Sequence, residues 1–193
     1  MAGNYLTKPQ QHPEELRDFV GFLKDKRIKS FLEIGSKFGG VLWSVARIMP
    51  KASRVVSVDL PNSHWGRSES KPSLQACIEH LQRDGFDAHL ILGDSTDRDV
   101  VERVRRLAPF DAIFIDANHT EPYVREDFVN YGNLSMIICF HDIGWNKPTP
   151  AGRPPTQVPE VWQALKLTYH DRAVFSEIRH DENQNGIGIL QWR

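Results

Sequence analysis

Short apolar runs alternate with amphipathic segments along most of the chain. Because a buried strand is a short apolar run, the sequence predicts strands at 30–34, 54–58, 88–92, 111–115 and 134–140. The segments around them carry apolar residues at helical spacing and predict helices at 13–26, 41–48, 72–84, 97–107, 121–131 and 159–169. Two last strands, 173–178 and 186–192, flank a short polar loop and predict a hairpin.

This order of elements predicts an α/β fold. Strands that are apolar on both faces belong in a parallel sheet covered by helices on both sides. We therefore expect a Rossmann-like, doubly wound, mostly parallel seven-stranded sheet with a C-terminal antiparallel hairpin, formed by a single domain over residues 1–193. The polar residues 1–12 are expected to be a flexible N-terminus. The proline-rich segment 145–158 is expected to be a lid or substrate loop.

Composition mainly excludes classes of function. The net charge of the 193 residues is −1, which argues against a nucleic-acid-binding protein, since these usually carry a basic excess. No apolar run has the length of a membrane span and no secretory signal is evident, so a cytoplasmic protein without a membrane partner is expected. Cys77 and Cys139 form no metal-type pair and are predicted to be buried small hydrophobes. Whether the chain forms a homo-oligomer stays open.

The first predicted strand runs into a glycine-rich turn between Gly35 and Gly40. Glycine has no Cβ, so such a turn can adopt positive φ and a ligand can lie against bare backbone. The N-terminus of the following helix offers unpaired N–H groups. Glu33, late in the strand, places a carboxylate beside this turn. An ordinary strand–helix turn without a ligand is the alternative.

Each later strand also ends in polar residues: Asp59, then Asp94 and Ser95, then Asp116, then His141 and Asp142. The carboxyl ends of parallel strands meet at one edge of a sheet, where open α/β sheets bind their ligands. An acid at position 59 is spaced from the glycine turn as expected for hydrogen bonds to a ribose diol. An acid at position 94 suits the exocyclic amine of adenine. Helix-capping or turn roles remain the alternative for each of these residues.

A nicotinamide cofactor fits this turn poorly. The dinucleotide fingerprint Gly-x-Gly-x-x-Gly requires a second glycine where this chain has Lys37. A nicotinamide-dependent oxidoreductase is therefore disfavoured, as it also is by the predicted hairpin.

The sequence Glu-Ile-Gly-Ser-Lys-Phe-Gly-Gly, with an acid ending each of three later strands, resembles the class I S-adenosylmethionine-dependent methyltransferases. The resemblance implies that the glycine turn surrounds the methionine part of S-adenosyl-L-methionine, that Asp59 binds the ribose, and that Asp94 and Ser95 flank the adenine. Lys37 is a departure from the commonest glycine pattern of that family. The cofactor-binding residues implied in this way are Glu33, Gly35, Ser36, Gly39, Gly40, Asp59, Leu60, Asp94, Ser95 and Asp116.

A second group of polar residues suggests a metal site. Asp116 and His119 follow the fourth strand, and His141 and Asp142 end the fifth. Mg²⁺ prefers carboxylates and water, whereas an imidazole ligand shifts the preference towards Mn²⁺, Fe²⁺ or Zn²⁺. The predicted metal ligands are Asp116, His141 and Asp142, for Mg²⁺ or Mn²⁺. A cluster of loop-capping groups is the alternative.

The segments Ile-Asp-Ala-Asn-His-Thr and Phe-His-Asp-Ile resemble the metal-dependent O-methyltransferases that act on sugars and antibiotic hydroxyls. In the related catechol type, a basic residue three positions after the metal-binding Asp acts as the base. His119 stands at that position here. The resemblance implies that the metal lowers the pKa of an acceptor hydroxyl, that His119 takes its proton, and that the oxygen attacks the methyl group in line.

The sequence thus predicts an S-adenosylmethionine-dependent methyltransferase that performs metal-assisted O-methylation of a small-molecule hydroxyl, such as that of a sugar, an antibiotic or a catechol-like compound. Two alternatives stay open. One is a metal-independent N- or O-methyltransferase, and the other is a non-catalytic nucleotide- or cofactor-binding protein in which His141 and Asp142 are structural.

Overall fold

The computed structural model describes residues 9, 11–60, 67–145, 155–180 and 185–193, with the backbone alone for 67–69. The helices in these ranges are α1 Pro13–Asp25, α2 Gly40–Ala46, α3 Arg67–Arg83, α4 Arg98–Arg105, α5 Glu121–Tyr131 and α6 Val158–Tyr169. The strands are β1 Ser30–Ile34, β2 Arg54–Asp59, β3 Asp87–Leu92, β4 Ala112–Ile115, β5 Ile137–His141, β6 Ala173–Ile178 and β7 Ile187–Trp192. In the part of the chain that is described, no helix combines the length and the apolar character needed to cross a lipid bilayer.

All seven strands form one sheet in the order β3-β2-β1-β4-β5-β7-β6. The five strands from β3 to β5 are parallel, and β7 pairs antiparallel with both β5 and β6. The chain winds outwards in both directions from β1 and β4, so the carboxyl ends of these two strands form the topological switch point. The predicted fold class is confirmed, including the C-terminal hairpin.

Hydrophobic cores lie on both faces of the sheet because alternate residues of each strand point to opposite sides. Leu32 and Ile34 of β1 face the core shared with α4, α5 and α6, whereas Phe31 faces the core shared with α1, α2 and α3. Cys77 and Cys139 are buried and unpaired in the second core, as predicted.

Two element boundaries differ from the predictions by three residues or more. Helix α3 begins at Arg67 rather than at Pro72, so this proline lies inside the helix and not at its start. The strand predicted over 134–140 begins only at Ile137. Before it, the Leu134 amide donates to the Tyr131 carbonyl at 2.9 Å, which closes the end of α5 and uses the polar group that a strand would need.

Gly188 allows β7 to pack against the buried ring of Trp162. A Cβ added at Gly188 would lie 2.8 Å from ring atoms of Trp162, whose Nε1 donates to Glu177 at 2.6 Å and so fixes the ring. We expect Gly188→Ala to lower the free energy of unfolding by about 1–3 kcal/mol, as overpacking of a core does. Urea unfolding measures this loss.

Gly21→Ala is the matched control, because a Cβ at this position in α1 meets no atom within 4 Å. Alanine also favours a helix, so this variant should be as stable as the native protein or up to about 1 kcal/mol more stable. Equal effects of the two substitutions would contradict the packing argument.

Candidate active site

A cavity of about 520 Å³ lies at the carboxyl ends of the parallel strands, over the switch point between β1 and β4. Of the residues predicted for the site, all but Gly39 line this cavity: Glu33, Gly35, Ser36, Gly40, Asp59, Leu60, Asp94, Ser95, Asp116, His119, His141 and Asp142. The prediction that the strand ends converge on one site is therefore matched by the geometry, while the individual role of each residue stays a prediction.

Gly35 allows the loops after β1 and β4 to touch. Its φ is +88°, and a Cβ there would clash with the carbonyl oxygen of Asp116 and lie 2.6 Å from the Cα of Ala117. Its amide donates to the carbonyl of Val58 at 2.8 Å, which also ties the turn to β2. The side of this glycine where a Cβ would stand is therefore filled by protein backbone, while the residue still lines the cavity, and its contact with a ligand stays a prediction.

The other two glycines of the turn are also in contact with the protein itself. Gly39 has a φ of +82°, and a Cβ there would lie 2.9 Å from Sγ of Cys77. A Cβ at Gly40 would lie 2.6 Å from the Cα of Pro9, which belongs to the N-terminal segment. The turn thus needs its glycines for close packing, and Gly39 contributes no surface to the cavity.

Glu33 places a buried carboxyl group at the base of the cavity. The residue is 1% exposed, and its Oε2 has no hydrogen-bond partner within the described ranges. Burial raises its pKa to about 8, and the negative charges of Asp116 and Asp59 act in the same direction. A cationic donor group bound beside Glu33 would supply both the missing hydrogen bond and the missing charge.

Asp59 and Asp94 combine turn roles with exposure to the cavity. Oδ2 of Asp59 accepts a hydrogen bond from the Lys37 amide at 2.6 Å, while burial raises the pKa of this acid to about 6. Oδ1 of Asp94 accepts from the amide and hydroxyl groups of Thr96 at 2.9 and 2.8 Å. In each acid one carboxylate oxygen therefore holds a loop, and the residue still contributes to the cavity wall.

A compact cluster of two acids and two histidines lies at the other end of the cavity. Nε2 of His119 lies 3.1 Å from Oδ1 of Asp116, and its Nδ1 lies 3.1 Å from Oδ2 of Asp142. Nδ1 of His141 lies 3.2 Å from Asp116 and 3.3 Å from Asp142. The cluster forms because β4 and β5 are neighbours, so the loops that follow them share one edge.

The histidines of this cluster are held as cations. Burial alone would lower the pKa of His119, but its hydrogen bonds to Asp116 and Asp142 outweigh burial and raise the pKa to about 10. The pKa of His141 is raised to about 9 because the charges of the same two acids likewise outweigh its burial. The imidazolium groups in turn keep the pKa of the buried Asp116 well below its usual range. With both ring nitrogens protonated, His119 can serve as a base only after another cation neutralises the two carboxylates.

Metal-ligating atoms converge at three of these residues. One oxygen each of Asp116 and Asp142 and one nitrogen of His119 lie within 4.8 Å of one another. The sequence predicts His141, rather than His119, as the histidine ligand beside the two acids. His141 still faces both carboxylates through Nδ1, and its Nε2 is buried without a partner among the residues described.

No sequence pattern indicates a role for Gln11. Its Nε2 donates to Oδ2 of Asp116 at 2.9 Å, and Gln11 and Pro9 both line the cavity. Both belong to the predicted flexible N-terminus, of which residues 1–8 and 10 lie outside the described ranges. A contact between residues so far apart in the chain leaves no local pattern by which it could be recognised.

The predicted lid over 145–158 is described only at its two ends, since residues 146–154 lie outside the described ranges. Trp145 and Thr156, on either side of that gap, line the cavity. The amide of Gln157 donates to the carbonyl of His119 at 2.7 Å, and its side-chain oxygen accepts from the amide of Glu121 at 3.1 Å. The second end of the segment therefore rests on the loop that carries His119.

A family model described as a methyltransferase domain matches residues 32–143, which is more than half of the chain. No curated protein sequence matches the chain. The family match covers the parallel strands β1 to β5 with the cavity at their carboxyl ends, and it leaves out the N-terminal segment with α1 and the C-terminal hairpin.

Solved structures with the same fold include several methyltransferases. The O-methyltransferase TomG from Streptomyces achromogenes, involved in tomaymycin synthesis and solved with SAM, has a TM-score of 0.66 and 18% identity over 97% of this chain and 82% of its own. An O-methyltransferase from Bacillus cereus, solved with SAH, has a TM-score of 0.67 and 16% identity over 97% and 84%. An SAH-bound methyltransferase from Podospora anserina has a TM-score of 0.63 and 19% identity over 95% and 80%. At these identities the likeness establishes the fold alone.

The raised pKa of Glu33 predicts a cost in stability that depends on pH. Below about pH 4.5 this acid is protonated in both the folded and the unfolded chain, so it contributes no difference. Between about pH 4.5 and pH 8 the unfolded chain loses the proton while the folded chain retains it, which lowers the free energy of unfolding. We expect Glu33→Gln to remove this cost, so that the variant gains up to about 1.4 kcal/mol over the native protein per pH unit in that window.

Urea unfolding at pH 4.5 and at pH 7.5 measures this difference. Glu160→Gln, at an exposed position in the first turn of α6, is the control; it loses a favourable charge at the helix N-terminus, so its stability relative to the native protein should fall by up to about 1 kcal/mol from pH 4.5 to pH 7.5, opposite in direction to Glu33→Gln. A stability difference for Glu33→Gln that does not grow with pH would contradict a raised pKa at this site.

Proposed function

The chain belongs to the methyltransferase-domain family, and from this premise we propose that it is an S-adenosylmethionine-dependent O-methyltransferase that acts on a small-molecule hydroxyl with the help of a divalent cation. One observation carries the proposal. A single continuous cavity is lined by Glu33 and Asp59 at one end and by Asp116, His119 and Asp142 at the other. A methyl donor bound at the first end would present its reactive group to the second.

The donor-binding end fits the chemical groups of S-adenosylmethionine. Glu33 has a buried oxygen to which no described residue donates a hydrogen bond, which suits the ammonium of an amino acid. Asp59 holds the turn through Oδ2 and has a second oxygen for a ribose hydroxyl. Asp94 and Ser95 line the wall where the adenine would lie. The bound SAM of TomG and the bound SAH of the Bacillus cereus enzyme, which share this fold, support S-adenosylmethionine as the donor.

The catalytic end has the donors that a hard divalent cation prefers, namely the carboxylates of Asp116 and Asp142 with imidazole nitrogen close by. We assign the cation, Mg²⁺ or Mn²⁺, to these two carboxylates, with His141 facing both of them. When bound there, the cation supplies Lewis-acid activation that lowers the pKa of an acceptor hydroxyl.

His119 is the residue that we assign as the general base. Its pKa is high in this structure because it compensates the charges of Asp116 and Asp142. With those carboxylates neutralised by a cation, the pKa of the imidazole falls towards its ordinary value, near which it can take a proton from a hydroxyl. Its position beside both acids keeps it within reach of an oxygen bound at the same site.

A metal-independent methyltransferase is the second candidate. The observation that favours it is the charge balance of the cluster, in which two imidazolium groups already compensate Asp116 and Asp142 without a metal. In that case His119 and the two acids would orient the acceptor by hydrogen bonds alone. Dependence of methyl transfer on a divalent cation separates the two candidates.

Removal of the Asp59 carboxylate should weaken cofactor binding. We expect Asp59→Ala to raise the dissociation constant of S-adenosylhomocysteine about 10- to 100-fold, because a buried hydrogen-bonding anion is lost. Isothermal titration calorimetry measures this dissociation constant. Asp99→Ala, at an exposed position of α4, should bind like the native protein. Absence of binding by the native protein at millimolar S-adenosylhomocysteine would rule out the proposed function.

Removal of a metal-binding carboxylate should abolish Mn²⁺ binding and methyl transfer together. We expect Asp142→Asn to bind Mn²⁺ at least about tenfold more weakly than the native protein, as measured by electron paramagnetic resonance of the free ion. Excess chelator should stop methyl transfer to a panel of catechol and sugar acceptors, measured as the release of S-adenosylhomocysteine. Asp171→Asn, at an exposed position, is the control. Full transfer in chelator would support the metal-independent candidate.

His119→Ala distinguishes a base from a metal ligand. As a base, His119 contributes to turnover but little to Mn²⁺ affinity, so we expect turnover to fall about 100-fold or more while Mn²⁺ and S-adenosylhomocysteine still bind. Loss of Mn²⁺ binding in this variant would instead make His119 the third ligand, as the converging ligand atoms of Asp116, His119 and Asp142 would allow.

A further inference from the structure

Gln11 connects the segment before α1 to the acidic cluster in the cavity. Its Nε2 donates to Oδ2 of Asp116 at 2.9 Å, and the residue is 9% exposed. Asp116 uses its other oxygen for His119 and His141, so Gln11 is the partner that occupies the side of this carboxylate away from the histidines.

The position of Gln11 is fixed from both sides. Before it, Pro9 lies against Gly40 at the start of α2, where no Cβ would fit. After it, α1 packs into the core through Phe19, whose ring centre lies 5.0 Å from that of Phe114. Glu15 of the same helix accepts a hydrogen bond from the amide of Gly186 at 3.2 Å. The side chain of Gln11 is therefore presented to the cavity by a packed segment.

Gln11 also carries an unused acceptor. Its Oε1 is buried and has no hydrogen-bond donor in the ranges described, and the same holds for Oε2 of Glu33. Both residues line the same cavity, and both interact with Asp116. A buried acceptor without a donor is costly and rare in folded proteins, so two of them in one cavity indicate a ligand group that brings N–H donors.

We propose that Gln11 completes the binding site for the ammonium group of the cofactor's amino-acid moiety. Its Oε1 accepts one of the three N–H groups of the ammonium, Glu33 accepts another, and Nε2 of Gln11 keeps Asp116 in place. This inference rests on the proposed function and extends it, because Gln11 lies outside the residues 32–143 that match the family model.

The test compares two ligands that differ in the amino-acid moiety. S-adenosylhomocysteine carries the ammonium, whereas 5′-methylthioadenosine has the same nucleoside and thioether without it. Titration calorimetry in the presence of chelator gives both dissociation constants for the native protein and for Gln11→Met, which keeps the length of the side chain and removes its polar atoms. We expect Gln11→Met to bind S-adenosylhomocysteine about tenfold more weakly and 5′-methylthioadenosine within about twofold of the native protein.

Gln75→Met, at an exposed glutamine of α3 that bonds to Glu79, is the control and should change neither constant. Gln11→Ala should show the same selective loss, which separates loss of the amide group from any disturbance caused by the methionine side chain. Urea unfolding of each variant, measured in parallel, checks that the fold is retained. Equal weakening of both ligands, or no weakening of either, would overturn the role of Gln11 alone. Failure of the native protein to bind either ligand would overturn the proposed function and this inference with it.

Discussion

The contact between Gly35 and the backbone of Asp116 and Ala117 is the constraint on which the site depends. Any side chain at Gly35 would push apart the loops that follow β1 and β4. With glycine there, the end of β1 that carries Glu33 lies beside the end of β4 that carries Asp116, and the negative charge of Asp116 raises the pKa of Glu33. The donor-binding end and the catalytic end of the cavity are therefore one site because these two turns touch.

The same closeness creates an electrostatic cost. Glu33, Asp59 and Asp116 are buried together, and the pKa values of the first two are raised because burial and the neighbouring acids disfavour their charged forms. Asp116 escapes this effect only because His119 and His141 contribute positive charge. A fold selected for stability alone would replace such acids with neutral residues. The cationic groups of the proposed ligands, an ammonium and a divalent cation, would compensate these buried negative charges.

The sequence was sufficient to predict the sheet and the residues at its carboxyl edge. Each strand is a short apolar run that ends in a polar residue, and parallel strands necessarily bring such residues together, as with Asp59 and Asp116. The structural roles of single residues were harder to predict. The bare faces of Gly35 and Gly40 turned out to be filled by Ala117 and Pro9, which no local pattern foretells. Likewise, His119 lies between two carboxylates because of how the loops after β4 and β5 pack against each other, which the sequence of either loop alone does not show.

Gln11 is one of several cavity residues that lie outside the family-matched core. The family-matched core over residues 32–143 contains the glycine turn and the acids that we assign to groups common to every methyl donor and every hydroxyl acceptor. The remaining walls of the cavity come from outside that core or from its margin, through Gln11, Trp145, Thr156 and Asn185. The amide of Gly186 donates to Glu15, so α1, which follows Gln11, is hydrogen-bonded to the residue just before the hairpin strand β7. The N-terminal segment and the hairpin thus pack together at the margin of the cavity, where Gln11 reaches the carboxylate of Asp116, so the cavity is completed by elements on both sides of the family-matched core.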